Sequence, residues 1–171
     1  HSFERFGGLR FDHIMGLFRL FWIPRSGDPS KGAYVRYRAD ELLDLIVMEA
    51  TRAGAFVVGE DLCTVEDGVR ETLADRGIAG TRVGWFDGDL ESWPRGTLGT
   101  LTTHDLPTVV GAVSGRDHTA DPAMVAQLLQ SLEVDHDTAA ADPTAVLIDA
   151  HRALGASGSD LVLATLEVVV G

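Results

Sequence analysis

Short, wholly apolar runs alternate along this chain with longer stretches in which apolar positions return every three or four residues. Ala55-Phe56-Val57-Val58 is one such run, of strand length and with the pattern of a parallel strand covered on both faces. Ahead of it Leu42, Leu43, Leu45, Ile46 and Ala50 recur at helical spacing; Asp40 is placed to cap that helix and Gly54 to close it in a left-handed turn. Leu9 to Asp12 reads as a short strand ending in charge. The stretch from there to Tyr37, rich in glycine, proline and aromatic residues, reads as a long ordered loop. Downstream, Glu66 to Arg76 predicts a helix stopped at Gly77, Thr81 to Phe86 a strand, and Leu98 to Thr102 another. Pro107 marks a helix start. Asp121-Pro122 and Asp142-Pro143 each pair a capping aspartate with a proline at the first helical position, opening helices to about Glu133 and Leu154. Leu161 to Thr165 is a strand by its length, with a helix as the alternative. Strand followed by helix, repeated without a linker, predicts an α/β fold: one compact unit with a parallel sheet and right-handed crossovers.

Three of the apolar runs close on polar clusters: Arg10-Phe11-Asp12-His13, Gly59-Glu60-Asp61-Leu62 and Thr103-His104-Asp105. The spacing from Asp12 to Glu60 is 48 residues and from Glu60 to Asp105 is 45. Parallel α/β units deliver residues to the same end of each strand, so acids far apart in sequence converge on one cleft. Retaining cleavage of a glycosidic bond asks for this: an ionised carboxylate to attack the anomeric carbon and a protonated one to release the leaving oxygen. Arg10 lies two residues before Asp12, on the same side of a strand, where a guanidinium favours the ionised carboxylate. Glu60 follows an apolar run, the setting that suits an acid. Taken singly, an acid that ends a strand is more often a turn or helix cap than a catalyst; it is the common position of the three after successive strands that points to chemistry. Trp22, Tyr34, Tyr37, Trp85 and Trp93 are candidates to stack on sugar rings, with ordinary packing as the default for each.

Composition narrows the partners. The formal charge is −12, from 26 acidic and 14 basic residues, which argues against a nucleic-acid partner. One cysteine, Cys63, fits a reducing, cytoplasmic setting. No apolar run has the roughly 18–20 residues of a membrane span. His13 and His104 each adjoin an aspartate, but neither a cysteine pair nor His-x-x-x-His spacing accompanies them, so no metal is expected. The 171 residues fall short of the about 250 typical of a closed eight-stranded α/β barrel.

At these clusters the chain resembles the 4-α-glucanotransferases, the amylomaltase or disproportionating-enzyme family of glycoside hydrolases. The resemblance is carried by the run from Leu9-Arg10-Phe11-Asp12-His13 to Leu20, by Gly59-Glu60-Asp61-Leu62, and by Thr103-His104-Asp105-Leu106-Pro107. Gly32-Ala33-Tyr34-Val35-Arg36-Tyr37 and the segment Glu49 to Gly54 add to it. It is strong over about residues 7–108 and thins beyond. It implies Asp12 as nucleophile, Glu60 as general acid/base and Asp105 as stabiliser of the transition state. It places Arg10, His13 and His104 at positions that bind or orient a glucosyl unit, and puts Asp61 beside the acid among the substrate-binding positions, with a structural role the safer reading. The implied substrates are maltooligosaccharides or α-1,4-glucans, with no cofactor.

By the same resemblance, residues 1–171 would be the C-terminal part of a single catalytic (β/α)8 TIM barrel, an incomplete barrel truncated at both ends. Roughly strands 4 to 8 with their helices would be present, and the N-terminal barrel half missing. Such a piece exposes edge strands and is expected to be nearly inactive alone and prone to self-association. Departures from the family pattern are Cys63 where glycine is usual and Val168, in Leu166-Glu167-Val168, where an acid is usual. Two other readings remain open: an α-amylase-like hydrolase of the same clan, and a non-catalytic glucan-binding or interaction module.

Overall fold

The computed structural model of the chain describes residues 2–25, 27–62 and 64–165, so the departures at Cys63 and Val168 lie outside the described residues. Two compact units divide it, residues 1–80 and 81–171.

The first unit holds α1 (Ser2–Arg5), β1 (Gly8–Phe11), β2 (Arg19–Trp22), β3 (Ala33–Arg36), α2 (Ala39–Ala53), β4 (Phe56–Gly59) and α3 (Val69–Ala74). β1 and β4 pair in parallel, with Phe11 opposite Gly59, so the two strands end side by side. On the far side of β4, Ala79 bridges to Val58, also in parallel. Between β1 and β4 runs α2, which buries Leu43 and Ala50 and leaves Ile46 and Val47 partly covered. These meet Ile14, Met15, Val57, Val69, Leu73 and Ile78 in one apolar cluster, which fixes the helix against the strand pair. Gly54 ends α2 at φ 63°, a left-handed conformation that costs glycine little, and Ala55 N donates to Ala50 O at 2.9 Å. The expected cap is displaced. Arg38 occupies the capping position without a side-chain bond, and Asp40, inside the first turn, accepts from Arg76 Nη2 at 2.8 Å.

The supposed loop after Asp12 contains an antiparallel hairpin, β2 with β3, in which Phe21 faces Tyr34 and Trp22 faces Ala33. Its strands bury little on either face, so no apolar alternation marks them. The helix expected from Glu66 starts late, at Val69, because Gly68 stands at φ 81° outside the helical region.

β5 (Gly80–Val83) begins at the last residue of the first unit; the second comprises the rest of that strand with α4 (Gly84–Asp87), β6 (Thr97–Thr100), α5 (Val109–Val113), α6 (Pro122–Ser131), α7 (His136–Ala141), α8 (Pro143–Ala156) and β7 (Leu161–Leu163). Its sheet has the order β5-β6-β7, with β6 and β7 parallel. The expected strand to Phe86 stops at Val83, whose N–H donates to Asp87 Oδ2 at 2.9 Å and folds the chain into the short α4. Thr108, not Pro107, caps α5. Both Asp-Pro pairs behave as expected: Asp121 accepts from Ala123 N at 2.8 Å and Asp142 from Ala145 N at 3.0 Å. Leu128, Leu147, Leu154 and Trp85 pack the interior of this unit. Among the described residues no helix is long and apolar enough to cross a membrane.

One helix start carries a pH signature. Asp135 caps α7, and its carboxyl is held below the usual value of 3.8, first by the Thr138 hydroxyl and then by the Thr138 amide. A depressed folded-state value means that the stabilisation is present above about pH 3.8 and lost as pH falls through the lower, folded value. Amide exchange of residues 137–141 is expected to speed up below that pH, and Asp135→Asn to flatten the dependence. Acid-insensitive exchange in the unsubstituted chain would contradict this.

Candidate active site

The parallel register of β1 and β4 brings Asp12 and Glu60, the residues just past their ends, to neighbouring positions. Backbone bonds lock the junction: Glu60 N donates to Phe11 O at 2.8 Å and Ile14 N to Glu60 O at 3.0 Å. Gly59 permits the approach of Ile14, since a Cβ there would lie 3.1 Å from Ile14 Cγ1.

Arg10 and Asp12 form an ion pair at 2.5 Å, as the strand period of two predicts. Asp12 is the exposed partner, its side chain 64% accessible against 29% for Arg10. An aspartate fixed close to the backbone, paired with an arginine and open to solvent, has the makings of a nucleophile.

Glu60 is 9% exposed, and both of its carboxylate oxygens accept backbone amides. Oε2 takes His13 N at 2.8 Å and Oε1 takes Leu62 N at 2.7 Å. His13 makes its bond from a left-handed backbone at φ 47°, ψ 60°, a conformation that a side-chain-bearing residue seldom adopts. The aspartate-bearing segment therefore reaches across and grips the glutamate. Each oxygen has a further lone pair beside the one its amide takes, so a protonated Glu60 can keep both amides and still point an O–H at a sugar oxygen.

Asp61 is placed differently from a sugar ligand. Its side chain is 2% exposed, Oδ2 accepts from Arg70 Nε at 2.8 Å, and its carbonyl accepts from Arg70 Nη2 at 3.1 Å. A buried aspartate turned toward α3 braces the loop after Glu60. A direct sugar contact is not open to it here.

His104 and Asp105 belong to the second unit, on an exposed loop after β6. Thr103 Oγ1 donates to the Asp105 carboxylate, and Leu106 N to Thr103 O at 3.2 Å. Pro107 O, which accepts from Thr102 Oγ1 at 2.9 Å and from Trp85 Nε1 at 3.1 Å, anchors the far side of the loop. The aromatic candidates divide sharply. Trp85 and Trp93 are core residues, 1% and 4% exposed, while Trp22 and Tyr34 stand on the hairpin at 59% and 60%. The amides of His13 and Leu62 escape any reading by residue type, because every residue but proline carries one. Among the described residues, no three His, Cys, Asp or Glu side chains are grouped to hold a metal ion.

Acids presented side by side at the ends of parallel strands, one paired with an arginine and one held by the amide of a histidine, belong to the α/β class of folds, which delivers polar residues to the same end of its strands. Within that class the chain belongs to the 4-alpha-glucanotransferase family, whose profile matches residues 1–170. It is 41% identical over 157 residues to a 4-alpha-glucanotransferase of Mycobacterium bovis, an alignment covering 85% of this chain and 22% of that protein. Identity to the Haemophilus influenzae 4-alpha-glucanotransferase is 35% over 157 residues, covering 88% of this chain and again 22% of the relative. The chain thus spans about a fifth of the length of these relatives. The crystal structure of amylomaltase from Corynebacterium glutamicum superposes with a TM-score of 0.83 at 31% identity, over 94% of this chain and 28% of that one. Amylomaltase from Streptococcus agalactiae, solved in complex with acarbose, shares the fold at a TM-score of 0.67 and 17% identity, over 90% and 31% of the two chains.

Proposed function

We propose that residues 1–171 are the C-terminal catalytic part of a cytoplasmic 4-α-glucanotransferase, contributing roughly strands 4 to 8 of a (β/α)8 barrel whose N-terminal half lies in the complete enzyme. The substrates are α-1,4-glucans and maltooligosaccharides. In the first half-reaction an Asp12 carboxylate oxygen bonds to the anomeric carbon as the glycosidic bond breaks, and Glu60 delivers its proton to the departing oxygen. In the second, Glu60 takes the proton of an acceptor sugar hydroxyl, whose oxygen displaces Asp12 and restores the α-linkage. Asp105 stabilises the charge that develops on the ring. Arg10, His13 and His104 orient the glucosyl unit, and Asp61 holds the Glu60 loop through Arg70.

The observation that carries this reading is the coupling of the two acids across one strand pair: Arg10 holds Asp12, and the amide of the next residue, His13, holds Glu60. Such a junction ties the segment of one acid to the carboxylate of the other, which serves a two-carboxylate reaction.

Maltotriose decides the matter. The complete enzyme is expected to convert it to glucose and longer maltooligosaccharides while total reducing ends stay constant. A steady rise in reducing ends would identify an α-amylase-like hydrolase. Glucan binding without any covalent glucosyl-enzyme would identify a non-catalytic module.

A further inference from the structure

The β2–β3 hairpin carries side chains that the reaction above leaves without a task. Phe21 and Tyr34 face each other across it, ring centroids 5.1 Å apart and planes at 61°. The guanidinium carbon of Arg19 lies 4.3 Å from the Tyr34 centroid. Arg19 is itself fixed by Glu66 at 3.0 Å, and the same carboxylate holds Arg36 at 3.3 Å. Tyr34 is thus clamped by a ring edge and a cation while remaining 60% exposed. An aromatic side chain ordered in advance loses little rotamer freedom when something stacks on it.

Tyr34, Phe21 and Arg19 line a hollow of about 310 Å³ together with His13 and Thr64. That volume is at the low end of small-molecule sites, about 300–1,000 Å³, and suits a single pyranose ring. The chemistry of the wall suits one too: an aromatic surface for the apolar C–H side of the sugar, with guanidinium and hydroxyl groups for its polar rim. His13 links the hollow to the junction of the two acids, since its amide holds the Glu60 carboxylate. Trp22 lies on the opposite side of the hairpin, where its indole N–H donates to the Tyr37 hydroxyl at 2.8 Å.

We propose that Tyr34 is the stacking platform of an outer sugar subsite, holding a glucosyl unit of the glucan chain beyond those that flank the reacting bond. This rests on the glucan-transfer reading above and adds to it a determinant of chain-length preference. Short substrates do not reach the platform and long ones gain from it.

Steady-state kinetics of the complete enzyme with maltotriose and maltoheptaose provide the test. Tyr34→Ala is expected to lower kcat/KM for maltoheptaose by about five- to tenfold, the worth of one aromatic stacking contact. Maltotriose should change less than twofold, and Tyr34→Phe, which keeps the ring, should stay near the unsubstituted enzyme on both. Equal losses on both substrates, or no loss on maltoheptaose, would overturn the proposal. A second arm is calorimetric titration of maltoheptaose into enzyme made inactive by Asp12→Asn, where adding Tyr34→Ala should weaken binding by the same factor. Tyr34-dependent binding in an enzyme whose unsubstituted form lacks transfer would sink the catalytic reading and keep the platform; transfer without Tyr34 dependence would do the reverse.

Discussion

Asp12→Asn is expected to reduce glucan transfer by the complete enzyme by on the order of 10⁴-fold or more, the scale on which enzymes lose activity when a covalent nucleophile is removed. An amide at that position keeps the size of the side chain and its place beside Arg10 but has no charge with which to attack. Glu60→Gln should cost about 10²–10⁴-fold with ordinary glucans, the usual contribution of a general acid and base. The two losses differ in kind. A donor such as α-maltosyl fluoride departs without protonation, so Glu60→Gln should still form the covalent intermediate and accumulate it, visible as a mass increase. Asp12→Asn should form none. If both variants form it, or if Asp12→Asn alone does, the assignment of the two roles fails.

The second large effect concerns stability. Arg70→Met is expected to cost about 2–3 kcal/mol, somewhat below the 3–5 kcal/mol of breaking a fully buried pair. The asymmetry of the pair sets the sign of the comparison. Asp61 is 2% exposed and Arg70 52%, so water can replace the carboxylate at Arg70 but cannot replace the guanidinium at Asp61. Asp61→Asn, which leaves no buried charge, should therefore cost clearly less. Denaturant midpoints of the two variants rank them, and a reversed order would show that Asp61 is held chiefly by its other contacts. Because the pair braces the loop whose Leu62 amide holds Glu60, Arg70→Met should also lower transfer more than its distance from the reacting bond suggests.

The strand that presents Glu60 was legible from the residues alone, because a continuous apolar run of strand length that ends in charge has few other uses in an α/β chain; the strand before Asp12, broken by Arg10, showed itself through the period of two that sets Arg10 and Asp12 on one side. Both Asp-Pro helix starts were legible for a similarly local reason: the cap and the fixed φ of proline sit in adjacent residues. The hairpin was not, since a pattern reader depends on contrast between covered and open faces, and both faces of Tyr34-Val35 and Phe21-Trp22 are open. Nor was α7 foreseen; Asp135 ahead of an alanine-rich run was the available sign. The grip of His13 and Leu62 on Glu60 lay beyond reach altogether, because it is made by peptide groups whose direction depends on backbone angles rather than on residue identity.

The pairing of Phe11 with Gly59 has a bearing on how much change this region can absorb. Successive residues of a strand look to opposite sides, so deleting a single residue from Gly8–Phe11 or Phe56–Gly59 would send one acid to the wrong side of the sheet while the other stayed put. The ten residues that join the two strands of the hairpin answer to no such phase rule and are free to lengthen or shorten. Length variation among natural or engineered versions of this segment should gather in that turn and stop abruptly at the rims of the two strands.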